Sequence, residues 1–143
     1  MTRFVVDASV AVKWFLDEEH STAAERLLTA RHERIAPELV FIEAAHVFVK
    51  RHRRGELPAA DAQVSLAALH YTLQVQESTS LVSTALDLAF AHRRSAYDGL
   101  YVALALREGC ELVTADRKLY DALSPHLPAT MLWIEDIPVA FDD

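Results

Sequence analysis

At 143 residues and 52% hydrophobic, the chain is sized for a single domain, residues 1–143, with a sizeable core, and its composition excludes a disordered segment. A net charge of −7 argues against nucleic-acid binding by bulk electrostatics, and one cysteine, Cys110, excludes a disulfide framework or a cysteine metal cluster. The longest uncharged apolar run, residues 100–106, is far short of the roughly 20 residues of a membrane helix, and residues 1–7 lack the apolar stretch of a signal peptide; a soluble, cytoplasmic protein is expected.

Residues 4–6 are a short, wholly apolar run that predicts a buried parallel strand closed by Asp7. Residues 8–16 read as a helix. A second helix, capped by Ser21 or Thr22, is predicted to run to about His32. Residues 34–36 make a minimal strand stopped by Pro37. A long helix over 38–53 follows, with Gly55 as its C-terminal cap. Pro58 opens a helix over 59–69, and residues 73–76 alternate as a third strand. Thr79 or Ser80 caps a helix to His92, and Ser95 caps one over 96–108 that stops at Gly109. Residues 111–114 form the fourth strand, 118–123 a short helix and 131–133 a possible fifth strand; the tail from Asp136 reads as frayed and acidic. Short strands alternating with helices predict an α/β fold, a parallel sheet covered on both faces.

Four acids interrupt this pattern. Asp7 and Asp116 follow apolar strands, Asp98 opens a helix apolar on every face, and Glu43 sits inside the run 39–49, where His46 is the other polar residue. Each has a plain structural explanation taken alone. Asp7 and Asp116 suit N-caps, and Ser95 to Asp98 has capping-box spacing. Glu43 is hardest to explain so, because an unpaired buried carboxylate is costly; His46, three residues on, shares its face. Ser9 and Thr114 add hydroxyls beside two of the acids. Acids at the C-terminal ends of parallel strands lie where such sheets bind ligands, and clustered hard oxygens select Mg²⁺ or Mn²⁺.

The seven histidines are scattered without i, i+4 pairing, which argues against zinc, and three glycines are too few for a dinucleotide fingerprint or P-loop. Basic clusters at 50–54, 93–94 and 117–118 read first as solvated helix ends.

The segments Phe4-Val5-Val6-Asp7-Ala8-Ser9, Pro37-Glu38-Leu39 leading to Glu43, Tyr97-Asp98 opening an Ala/Leu helix, and Leu112-Val113-Thr114-Ala115-Asp116 occur in that order. Together they resemble the signature of PIN-domain ribonucleases, and length and layout are similar to VapC-type toxins. The resemblance implies a three-layer α/β/α sandwich with a parallel sheet of four to five short strands. It also implies a Mg²⁺- or Mn²⁺-dependent endoribonuclease, a homodimer held by the early helices, and a small cognate antitoxin that blocks the site. Asp7, Glu43, Asp98 and Asp116 would be its acidic quartet, with Ser9 and Thr114 in support. His46 stands where the family often has Asn. Arg53 and Arg54 become candidate contacts to an RNA backbone. Two alternatives stay open from the residues: a receiver-type phosphotransfer domain, and a binding module that keeps the fold without the chemistry.

Overall fold

A computed structural model describes residues 2–139. Five parallel strands, β1 (Thr2–Val6), β2 (His32–Pro37), β3 (Gln74–Gln76), β4 (Glu111–Thr114) and β5 (Met131–Trp133), form one sheet in the order β3-β2-β1-β4-β5. Helices α1 (Ala8–Ala11), α2 (Ser21–Glu25), α3 (Leu39–Arg53), α4 (Ala59–Thr72), α5 (Val82–His92), α6 (Ala96–Glu108) and α7 (Arg117–Leu123) complete a three-layer α/β/α sandwich. Cover on both faces is why the inner strands carry no polar alternation: Phe4, Val5, Val6, Ile35, Leu112 and Val113 are all buried. Each such side chain contributes roughly 1.5–3 kcal/mol of burial. The apolar stretch of α6 from Tyr101 to Ala105 is buried too.

Strand order fixes where the cleft falls. The chain steps outward from β1 through β2 to β3, then returns to the other side of β1 for β4 and β5. The reversal lies between β1 and β4, and in open α/β sheets the crevice beyond the carboxyl ends of such a strand pair is the ligand site. Val6 pairs with Val113, and the Asp7 amide donates to the Val113 carbonyl at 3.2 Å, so the turns after the two strands are neighbours. This order also differs from the 2-1-3-4-5 arrangement of receiver domains, which removes that alternative.

Helices α5 and α6 form the other wall of interest. The turn between them holds Arg93 in the left-handed region at φ 53°, and Ser95 caps α6 through the Asp98 amide at 3.0 Å. Their backbones nearly touch at Gly99, where a Cβ would lie 2.3 Å from the Ala85 carbonyl oxygen. Only glycine permits that approach.

Several local expectations change. The segment 8–16 is α-helical only to Ala11 and tightens to a 3-10 turn over Val12–Trp14. The helix expected to reach His32 stops at Glu25, because His32 to Pro37 are drawn into β2 beside β1. Ser21 does not cap α2 but starts it, its hydroxyl turned back to the Leu16 carbonyl. Thr79 and Ser80 lie in a 3-10 turn before α5, held by the Glu77 carboxylate. The tail is packed rather than frayed as far as Ile137, since Ile134 and Ile137 are buried; residues 140–143 lie outside the described residues.

Candidate active site

Beyond the C-terminal ends of β1 and β4 opens a cleft of about 460 Å³, lined by Asp7, Ser9, Glu43, His46, Tyr97, Asp98, Asp116 and apolar side chains of α1 and α3. Four acids from four separate segments thus face one space, with Ser9 and His46 beside them.

Asp7 is the most enclosed, at 8% exposure. Its carboxylate caps α1 by accepting the Ser9 amide at 3.1 Å, and its second oxygen accepts the Thr114 hydroxyl at 2.8 Å. Thr114, fully buried, accepts the Asp116 amide at 3.0 Å in turn, while the Ser9 hydroxyl accepts the Ala115 amide at 3.0 Å. Capping and site construction are therefore one network, not rival explanations. Burial pushes the Asp7 carboxyl up to about 6 despite these donors, and the charges of Glu43 and Asp98 add to the rise.

Glu43 comes from the middle of α3. Its partner is not His46, which is exposed on the rim of the cleft, but Tyr101, whose hydroxyl donates to Glu43 at 2.6 Å. Burial raises the Glu43 carboxyl, the tyrosine opposes this, and Asp98 adds repulsion. Burial and the nearby carboxylates also hold the Tyr101 hydroxyl in its protonated form. Asp98 is raised by burial and by Asp116, against the pull of Arg94, whose Nε and Nη2 both donate to its Oδ2 at 3.1 and 3.0 Å. Asp116 caps α7 by accepting the Lys118 and Leu119 amides, with its other oxygen 3.9 Å from Arg94.

Tyr101 and Arg94 were missed in the sequence. Tyr101 passes for one more apolar residue of α6, though it stands three residues after Asp98 and so on its face. Arg94 passes for a solvated helix end. The carboxylates supply the hard oxygens that Mg²⁺ or Mn²⁺ takes, and their mutual repulsion marks a space short of positive charge. Among the described residues no three ligating groups already stand close enough to share one ion; Glu43 and Asp98 are each drawn to a protein partner. Arg53 and Arg54 lie elsewhere. They are exposed at the far end of α3, and Arg53 lines a separate groove against α4.

A family model described as PIN domain matches residues 4–123. In sequence the chain is similar to Ribonuclease VapC3 of Pyrobaculum aerophilum, 35% identical over 120 residues that cover 82% of this chain and 92% of the relative. In structure it is similar to Mycobacterium tuberculosis VapC20, a Sarcin-Ricin loop cleaving toxin, with TM-score 0.65 and 19% identity over 84% of this chain and 95% of that one. It is also similar to a toxin–antitoxin complex from Klebsiella pneumoniae, with TM-score 0.62 and 15% identity over 90% and 94% of the two chains. At such identities the two structures speak for the fold alone. The match across the strands and helices that build the cleft, joined to the sequence relative, gives the family: this chain belongs to the PIN-domain proteins.

Proposed function

We propose that the chain is a Mg²⁺- or Mn²⁺-dependent endoribonuclease acting as the toxin of a type II toxin–antitoxin pair. One observation carries the reading: four carboxylates from distant segments line a single cleft at the sheet's switch point, three of them raised by burial. Structural carboxylates are usually exposed or paired, whereas a cluster held against its own repulsion fits a cation site. The relative named as a ribonuclease and the toxins among the structural neighbours support the substrate class and a small antitoxin as partner.

In this reading Asp7, Glu43, Asp98 and Asp116 hold the ion. A divalent ion held there would supply positive charge to the phosphate oxygens and acidity to the attacking water. Thr114 and Ser9 fix the two strand-end turns, so that Asp7 and Asp116 keep their spacing. Tyr101, a permanent donor at neutral pH, orients Glu43. His46 and Tyr97 stand on the rim, where an RNA strand enters, and Arg53 and Arg54 are candidate contacts to its backbone further out.

Cleavage of a total tRNA and rRNA mixture, with Mg²⁺ or Mn²⁺ against EDTA and beside Asp98→Asn, tests this. Discrete products that need metal and vanish in the variant are expected. A second reading, a binding module without chemistry, draws on the Arg94–Asp98 pair, which already neutralises one acid. Metal uptake with no cleavage of any RNA would favour it.

A further inference from the structure

Among the described residues, the ion pairs made by the four cleft acids both run to Arg94, at 3.0 Å from Asp98 and 3.9 Å from Asp116. Arg94 is not a wandering surface side chain. Its amide donates to the Ala89 carbonyl at 3.1 Å, the left-handed Arg93 precedes it, and Ser95, the N-cap of α6, follows. Gly99 clamps α6 to α5 one turn later. The backbone thus delivers the guanidinium to Asp98 from the side of α5 and α7, where it lines a small void with Gly99, Val102 and Leu119 behind the cleft and its side chain is 23% exposed. A guanidinium does not lose its charge by deprotonation, so at neutral pH it stays a standing competitor for any cation that Asp98 would bind.

Resting on the nuclease reading, we propose that Arg94 is a built-in counter-ion that competes with the divalent ion for Asp98 and, once displaced, turns to the phosphate of the bound strand. In the metal-free protein it limits the repulsion that Asp98 feels from Asp116 and Asp7. With Asp98 held by an ion, the same guanidinium would keep Asp116, at the edge of the cleft, as its remaining ion-pair partner among the described residues. A phosphate offers two oxygens in the geometry a guanidinium prefers. Arg94 is then a positioning residue that links metal loading to substrate capture.

The test is Mn²⁺ binding to RNA-free protein, followed through the spin-resonance signal of free Mn²⁺, for wild type, Arg94→Gln and Arg94→Lys. Arg94→Gln is expected to bind Mn²⁺ roughly tenfold more tightly, the strength of one charge-assisted pair, with Arg94→Lys between it and wild type. At saturating Mn²⁺, cleavage by Arg94→Gln is expected to fall through a higher KM, with partial rescue in Arg94→Lys. A residue that merely shaped the turn would not tighten metal binding when removed. Equal or weaker Mn²⁺ binding in both variants would overturn the proposal while leaving the nuclease reading intact. No Mn²⁺ uptake by any of the three, wild type included, would overturn both.

Discussion

The two ends of the sheet hold their carboxylates in opposite ways. At the end where the strands begin, Arg3 bridges Glu33 of β2 at 3.2 Å and Glu108 of α6 at 3.1 Å, and Arg107 stands 3.4 Å from Glu108. Glu111 there is raised by burial alone, with no acid pressing on it. At the end where β1 and β4 finish, acids are gathered against each other, and one arginine serves two of them. The first arrangement is ordinary surface pairing, of small value to stability. The second works against the apo fold and is held by hydrogen bonds, hydroxyls and close backbone packing. The contrast separates acids matched by arginines from acids gathered against one another, the set that the proposed chemistry needs.

Removing an acid from each end should expose that difference. Asp98→Asn or Asp116→Asn is expected to lower metal-dependent RNA cleavage by at least about 10²–10³-fold, the scale of losing a charged group that meets the reacting centre, in a gel assay at saturating metal. Next in size is the scaffold of the acidic end. Gly99→Ala drives a Cβ into the Ala85 carbonyl, so α5 and α6 must part, and denaturant melts should show a loss of about 2–3 kcal/mol.

Asp7→Asn reverses the usual direction of a damaging substitution. The Asp7 carboxyl sits at about 6 when folded and at 3.8 in its ordinary state, so the folded protein holds its proton more firmly than the unfolded chain. Metal-free stability therefore falls as pH rises from about 4 to about 6, by an amount on the order of 2–3 kcal/mol. Asp7→Asn should raise the melting point of the metal-free protein at pH 7.5, lose that advantage near pH 4, and abolish cleavage. Wild-type cleavage should climb with pH through about 6 as Asp7 becomes ionised and able to ligate. Tyr101→Phe strips Glu43 of its donor and should destabilise by about 1 kcal/mol, with a further upward shift of the Glu43 carboxyl visible by NMR titration. Arg3→Ala, at the opposite end, should leave both melting point and cleavage near wild type. A large loss of cleavage there would break the contrast.

The fold was legible where burial is complete. Residues 4–6, 112–113 and 101–105 are read as core because cover on both sides removes every polar position. The acids were legible for the same reason: a carboxylate stands out in apolar sequence. What failed was short and context-dependent. His32 to Pro37 become strand only because β1 offers them partners, and a helical pattern around 21–32 cannot register that. Glu43 and Tyr101 meet across 58 residues, so neither local spacing nor helix period could pair them, and the visible neighbour His46 was the wrong partner. Arg94 has the sequence appearance of any basic helix end; its role comes from the turn that aims it.

The hydrogen bond between Thr114 and Asp7 spans 107 residues and sets a clock on the protein's own synthesis. The central strand emerges early, yet its second flank and the last two polar groups of the cleft are made only after most of the chain. At roughly 5–20 residues per second, about 5–20 s separate the making of Asp7 from that of Thr114. During that interval the nascent chain carries an exposed strand and no complete acidic cleft. The acidic cleft is thus incomplete until the turn after β4 has been made, so the proposed activity cannot precede the pairing of β4 with β1.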